Sequence, residues 1–371
     1  MRLKHALAGA LVMPLLFASI ALAQGAERGT ASIPGGFSPV GRDGVPCEPR
    51  ECREIHDRHE HNDDLVEMTQ FVADNETSDS SLPKMPCYNS AKGAYYIVNV
   101  YAWADPAVGG LNDRSATEIA NIRKKVQRAD YRLDQSAGEQ DQHYRVLCVS
   151  GIIDVWKMKI DPSKDGSAGT ISKYDVRKTG FDSGHTNRSY IYFYWIDNDN
   201  AKAPIGGGSF TCFGGNGAGA PGNDTSSTYG VRMPVDTRGG NNWVAYTFGH
   251  ESTHAFDAVN PRAPHGIERS HCNDAWVSGT ETHHDLMCYN DGSADYTTGR
   301  VTTCATQKEW FVDCNKDDYW KPGSGAPTYI ADETGSLTVF NTARSIWLSS
   351  ICSEATAEEP LSCQVADGRT N

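Results

Sequence analysis

The stretch WVAYTFGHESTHAFDA, residues 243–258, decides how this chain is interpreted. Its apolar residues include Val244 and Phe248, four positions apart, which predicts a helix with one buried face. Side chains four positions apart on a helix lie one turn apart on the same face. The imidazoles of His250 and His254 can therefore reach the same metal ion.

The pattern His-Glu-x-x-His at residues 250–254 is typical of zinc-dependent hydrolysis. Imidazole is an ordinary ligand of Zn²⁺. Glu251 is offset around the helix, where it can take a proton from the attacking water and pass it to the leaving amine. The sequence thus predicts a zinc metalloendopeptidase with Glu251 as general base. The alternative is a surface helix with stray histidines, and the apolar residues of the same helix argue against it.

The order of elements around this helix predicts an α+β fold. Ser115 and Glu118 are spaced as a capping box at the start of an earlier helix. The predicted elements are strands at 94–101, within 144–160 and at 189–195, helices at 115–134 and 342–350, and a surface loop at 205–240.

The sequence is expected to divide into four parts. A basic start, a short apolar run and Ala-Leu-Ala at residues 21–23 predict a signal peptide over residues 1–23, so that the product is secreted and has no membrane contact after cleavage. Residues 24–90 are rich in Gly, Pro, Ser and charge, which predicts an N-terminal pro-segment or linker. Residues 91–352 are expected to form the catalytic domain, and residues 353–371 a C-terminal tail.

The net charge of the chain indicates which kinds of macromolecule it can bind. The chain has a formal net charge of −13 and contains no basic blocks. Such a chain repels phosphate backbones, which argues against a nucleic-acid partner. A protein or peptide substrate is expected instead.

Eleven cysteines lie beyond the predicted signal peptide. In an exported protein they are expected to form disulfide bonds, and the odd number leaves one thiol over. Closely spaced cysteines suggest three pairs, namely Cys272 with Cys288, Cys304 with Cys314, and Cys352 with Cys363.

The stretch from His250 to Tyr289 resembles the metzincin clan of zinc peptidases. Met-Cys-Tyr at residues 287–289 resembles the Met-turn that lies beneath the metal in that clan, and His-Cys at residues 271–272 is similar to the pair found in archaemetzincins. The match is closer to a group of secreted microbial metzincin-like proteins, over about residues 93–350. The shared motifs are Ala-Pro-His at 263–265, His-Cys-x-Asp at 271–274 and Asp-x-Met-Cys-Tyr at 285–289.

This resemblance implies a metzincin-like catalytic domain with a mixed twisted sheet, an active-site helix, a Met-turn and a C-terminal helix. Met287 would form an apolar floor under the metal without binding it; an ordinary buried methionine is the alternative. Tyr289 would hydrogen-bond the tetrahedral intermediate, as an oxyanion-hole donor does.

A catalytic zinc site needs a third protein ligand. Asn260 occupies the position that the clan uses for it and is a poor zinc ligand. His271 is favoured, because a bond between Cys272 and Cys288 would clamp the ligand and the Met-turn together. His265 is the alternative, and an Asp or another His also stays open.

A function without turnover is the second hypothesis. Asp257 replaces the glycine that the clan has after its motif. The chain could then be a catalytically weak or inactive secreted binding or adhesion protein on a metzincin scaffold. The retained Glu251 argues against this, because a purely structural zinc has no use for a general base.

A cluster of carboxylates near the C-terminal end is a candidate for Ca²⁺. Asp313, Asp317 and Asp318 supply oxygen ligands, but their spacing departs from the EF-hand pattern. A solvated acidic turn is the alternative.

Overall fold

A computed structural model of the chain describes the following residues: 53–54, 82, 85, 96–138, 142–164, 169–185, 190–199, 202, 208–211, 230–233, 245–256, 258–259, 262–266, 271–272, 285–288, 311–323, 326–345 and 347–349. All of them belong to one compact unit, residues 38–371. The predicted signal peptide, nearly all of the segment 24–90, the tail 353–371 and Tyr289 lie outside the described residues.

Within the described residues, six strands form one mixed sheet, in the order β1 Arg53–Glu54, β8 Gly208–Thr211, β9 Gly230–Met233, β7 Tyr190–Asp197, β2 Tyr96–Trp103 and β6 Val155–Lys159. Strands β9, β7, β2 and β6 run parallel to one another, whereas β8 is antiparallel to both of its neighbours.

Six shorter strands form three antiparallel pairs: β3 His143–Tyr144 with β12 Leu348–Ser349, β4 Cys148–Val149 with β5 Ile152–Ile153, and β10 Tyr329–Ala331 with β11 Leu337–Phe340. The helices are α1 Ser115–Ala137, α2 Lys173–Asp182 and α3 Ala245–Ala255, and short 3₁₀ turns occupy Pro106–Val108 and Thr342–Arg344. Among the described residues, no helix is both long and apolar enough to cross a membrane.

The central strands β2 and β7 are buried on both faces, as their nearly continuous apolar sequences require. Alternate residues of each strand enter two different cores. Ile97 and Phe193 belong to the core that contains α1 and α3, whereas Val98 and Tyr192 belong to the core that contains Val176 of α2. The helices thus cover the sheet from both sides, and α1 and α3 share one side.

The prediction of an α+β chain with a mixed sheet is confirmed. Helix α1 begins at Ser115, but the predicted capping box with Glu118 is wrong, because Arg114 is the N-cap and makes no side-chain cap. The backbone N–H of Ser115 instead donates to Asp113 Oδ1 at 2.9 Å. The start of the predicted helix 115–134 is therefore right, and its predicted cap is wrong.

Two further predictions differ from the structure. The C-terminal helix at residues 342–350 is wrong: only Thr342–Arg344 forms a 3₁₀ turn, and Leu348 then pairs with Tyr144 as a strand. The backbone N–H of Arg145 donates to the carbonyl of Trp347 at 2.9 Å, so long-range pairing replaces the helical bonds here. The predicted loop 205–240 contains β8 and β9.

Candidate metal centre

Helix α3 is buried along its whole length. Phe248 anchors it to the sheet, because its ring lies 4.8 Å from that of Phe193 and 6.1 Å from that of Trp195. Tyr144 packs on the same ring edge-on at 5.3 Å. This packing fixes the rotation of the helix about its axis, and with it the direction of the histidines on the other turns.

The side chains of His250 and His254 on α3 meet the side chain of His271, which comes from a separate segment. The Nε2 atom of His254 lies 3.1 Å from Nε2 of His250 and 3.1 Å from Nε2 of His271. All three residues are buried. A zinc ion with nitrogen ligands at 2.0–2.1 Å in tetrahedral geometry holds those nitrogens about 3.3 Å apart. The donor atoms thus have the spacing and the chemistry that fit zinc.

The carbonyl oxygen of Leu286 fixes the orientation of His250. It accepts a hydrogen bond from His250 Nδ1 at 2.8 Å and another from Tyr246 Oη at 3.0 Å. A carbonyl can only accept, so Nδ1 carries the proton and Nε2 keeps its lone pair for a metal. Metal-binding histidines usually have such an outer partner.

His271 is held by the residue that follows it. Cys272 forms a disulfide bond with Cys288, as the sequence predicted. The backbone N–H of Cys272 also donates to the carbonyl of Met287 at 3.0 Å. Cys148 and Cys314 each take part in a disulfide bond as well. Cys304, the partner predicted for Cys314, lies outside the described residues, as do Cys352 and Cys363.

Two residues with predicted roles are buried, one on α3 and one in the core around it. Glu251 is buried on α3, one position after His250. Met287 is fully buried in the same core as α3. Tyr289 is outside the described residues, so its proposed role rests on the sequence.

His265, the alternative third ligand, belongs to a different group. Its Nδ1 atom lies 2.8 and 2.9 Å from the two carboxylate oxygens of Asp318, and its backbone N–H donates to the same carboxylate at 2.8 Å. This carboxylate raises the pKa of His265. The structure therefore pairs His265 with Asp318, and His271 is the histidine that joins His250 and His254.

The acidic cluster considered for Ca²⁺ divides in two. Asp313 uses its carboxylate to accept hydrogen bonds from backbone N–H groups, those of Asp317, Asp318, Tyr319 and Trp320. Burial, together with the charge of Asp318, raises the pKa of Asp313 to about 7. Asp317 and Asp318 lie with His265 as a second possible metal-binding group, which Asp313 does not join.

Sequence reasoning missed the outer partners of the histidines. Tyr246 stands four positions before His250, a spacing that could have indicated contact, since its ring stacks on the imidazole with centroids 5.5 Å apart. Asp285 entered the sequence argument only as part of a motif. It is fully buried and lies beside Cys272 and Cys288, whose sulfurs are bonded to each other and are no metal-binding thiolates.

Within the described residues, the chain is an α+β unit in which His250 and His254 of α3 and the separate residue His271 form a buried group that could hold a metal ion. No family model matches the chain, and neither a curated protein nor a solved structure is significantly similar to it. The resemblance of residues 250–289 to metzincins therefore rests on the motifs alone.

Proposed function

We propose that the chain is a secreted zinc-dependent endopeptidase of metzincin type. The observation that carries this proposal is the convergence of three imidazole Nε2 atoms, 3.1 Å apart in two of the pairs, beside a buried glutamate that follows the first histidine. Protein or peptide chains outside the cell are its expected substrates.

The residues divide the chemistry among them. His250, His254 and His271 would hold the zinc, which supplies a Lewis acid for the scissile carbonyl and lowers the pKa of water when bound. Glu251 takes the proton of the attacking water and passes it to the leaving amine. Tyr289, by its resemblance to the metzincin tyrosine, hydrogen-bonds the developing oxyanion.

The composition of the centre supports a catalytic zinc over a structural one. Structural zinc sites are closed by four protein ligands, whereas catalytic sites have three and keep one position for water or substrate. Within the part of the chain that the structure describes, the group contains three histidines. The neighbouring Glu251 supplies the base that such a position needs.

A glutamine at position 251 tests the mechanism. Glu251→Gln keeps the size of the side chain and removes its basicity, so we expect full zinc content and a loss of kcat for casein hydrolysis of about 10² to 10⁴-fold. Wild-type protein treated with a chelator should lose activity and recover it with zinc. Unchanged hydrolysis by the variant would exclude Glu251 as the base.

Two histidine variants test the ligand set. His271→Ala should abolish the zinc-dependent hydrolysis of casein and lower the zinc bound per chain, whereas His265→Ala should keep the hydrolysis at the wild-type level, because His265 contacts Asp318 instead. Wild-type protein with full zinc and no hydrolysis of casein, even after removal of residues 24–90, would favour a binding or adhesion role on the same scaffold.

A further inference from the structure

Asp285 is buried, and its carboxylate accepts hydrogen bonds from groups other than the three histidines. Its Oδ1 atom accepts from the backbone N–H of Met287 at 2.9 Å and from Tyr319 Oη at 2.6 Å. Its Oδ2 atom accepts from the backbone N–H of Cys314 at 2.6 Å. Three donors from two segments thus fix one carboxylate, and the carboxylate in turn fixes the turn at residues 285–288.

Within this turn, Leu286 orients the imidazole of His250. The Leu286 carbonyl accepts from His250 Nδ1, and the Leu286 N–H donates to the carbonyl of Phe311 at 3.0 Å. Asp285 therefore holds the peptide unit whose carbonyl orients this imidazole, through the Met287 N–H, and Phe311 holds the preceding peptide unit, through the Leu286 N–H. A displaced carbonyl would turn the ring and its Nε2 lone pair away from the other two histidines.

Met287 and Cys288 of the same turn hold the residue that follows His271. Met287, whose N–H is bound by Asp285, accepts from the backbone N–H of Cys272 through its own carbonyl. Cys288 is joined to Cys272 by the disulfide bond. Two links therefore connect the turn to the residue directly after His271.

A second layer supports the carboxylate. Tyr319 Oη donates to Asp285 and accepts from the backbone N–H of Asp313 at 2.9 Å. Asp313 in turn binds the N–H of Tyr319 at 2.8 Å, which holds that tyrosine in place. The segment around residues 313–320 thus serves as a rigid support for the turn.

We propose that Asp285 is a positioning residue of the metal centre, which sets two of its three ligands through the 285–288 turn. This inference rests on the proposed zinc site, but it does not require that the site is catalytic. It predicts that Asp285, which does not bind the metal itself, contributes measurably to the zinc affinity of the centre. Direct outer partners of metal ligands typically change metal affinity by about 10 to 100-fold. Asp285 acts through such a partner, the Leu286 carbonyl, so this range is the upper bound of its effect.

Asp285→Asn in the full chain tests the inference. The amide keeps the shape of the side chain but cannot accept on both of its ends, so one of the three donors loses its acceptor. Asp332→Asn is the matched control, because Asp332 is also buried and accepts from Thr334, Ser336 and Thr338 within the β10–β11 hairpin, which carries none of the three histidines. Tyr319→Phe is a milder variant that removes one donor to Asp285.

The measurements are zinc affinity by competition with a chromophoric chelator, the absorption spectrum of the Co²⁺-substituted protein, and urea unfolding of the metal-free protein. We expect Asp285→Asn to weaken zinc binding measurably, by up to about 100-fold, and to alter the Co²⁺ spectrum, with a smaller loss for Tyr319→Phe. Asp332→Asn should lower stability and leave both metal readouts unchanged.

The outcomes separate this inference from the proposed function. Unchanged zinc affinity and an unchanged Co²⁺ spectrum in folded Asp285→Asn and Tyr319→Phe overturn the role of Asp285 and leave the peptidase proposal standing. Weakened binding in a protein that hydrolyses no peptide upholds Asp285 and counts against the peptidase. A wild-type chain that takes up no zinc overturns both.

Discussion

Removal of the Cys272–Cys288 disulfide bond should weaken the fold and the metal centre by separable amounts. The two cysteines are 16 residues apart, and a loop of that size constrains the unfolded chain by about 3 kcal/mol. The double variant Cys272→Ala/Cys288→Ala removes the covalent link but keeps the backbone hydrogen bond from residue 272 to Met287. We therefore expect the metal-free protein to lose about 3 kcal/mol of unfolding free energy.

The effect on zinc adds to this loss. His271 directly precedes Cys272, so without the bond its imidazole is held by one link fewer. A tenfold weaker affinity would remove a further 1.4 kcal/mol, roughly, from the zinc-loaded protein. Urea unfolding with and without zinc measures both amounts. A variant that loses stability but keeps its zinc affinity would refute the idea that the bond positions His271, and one that loses neither would refute the loop-closure argument as well.

Further predictions concern two glycines and a buried histidine that does not belong to the three-histidine group. Gly249→Ala should stabilise α3 by about 0.5–1 kcal/mol in urea unfolding, because the added methyl meets its nearest atom at 3.4 Å. Gly180→Ala should destabilise by about 1–3 kcal/mol in the same assay, since the methyl would stand 2.1 Å from Tyr194 Oη, and an increase in stability would contradict the packing described here. Burial lowers the pKa of His185 to about 4, so the unfolded chain takes up its proton first and stability is lost as the pH falls from about 6.5 to 4, by about 3 kcal/mol. Comparison of the unfolding free energy of wild type and His185→Phe between pH 7 and pH 4 should show that part of the slope disappear; equal slopes would refute it.

The strongest local patterns were predicted from the sequence. Strands β2 and β7 are runs of aromatic and β-branched residues, so their identity did not depend on distant partners. The two histidines of α3 are one helical turn apart by sequence spacing alone. Cys272 and Cys288 are close in the chain, so their disulfide bond was predictable. This bond holds the neighbouring His271 near the two histidines of α3.

The errors arise where distant segments decide the structure. Helix α2 was missed because Gly180 interrupts a short and weakly apolar segment, although Ser172 and Asp175 form the capping box that could have indicated it. The predicted C-terminal helix does not form, because Leu348 pairs as a strand with Tyr144, some 200 residues earlier in the chain. Asp285 could not be recognised as a network centre, because its partner Tyr319 lies 34 positions away.

The complete burial of α3 has a consequence for the order of events during maturation. An isolated helix of eleven residues is marginal in water, since helices shorter than about 12–15 residues rarely persist alone. His250 and His254 would therefore lie on a frayed segment until the sheet and α1 have packed around it, and His271 arrives from a separate segment. Small zinc-binding domains use the ion to drive folding. Under the proposed function, this polypeptide would instead fold first and bind its zinc ion last, and export would not require the ion.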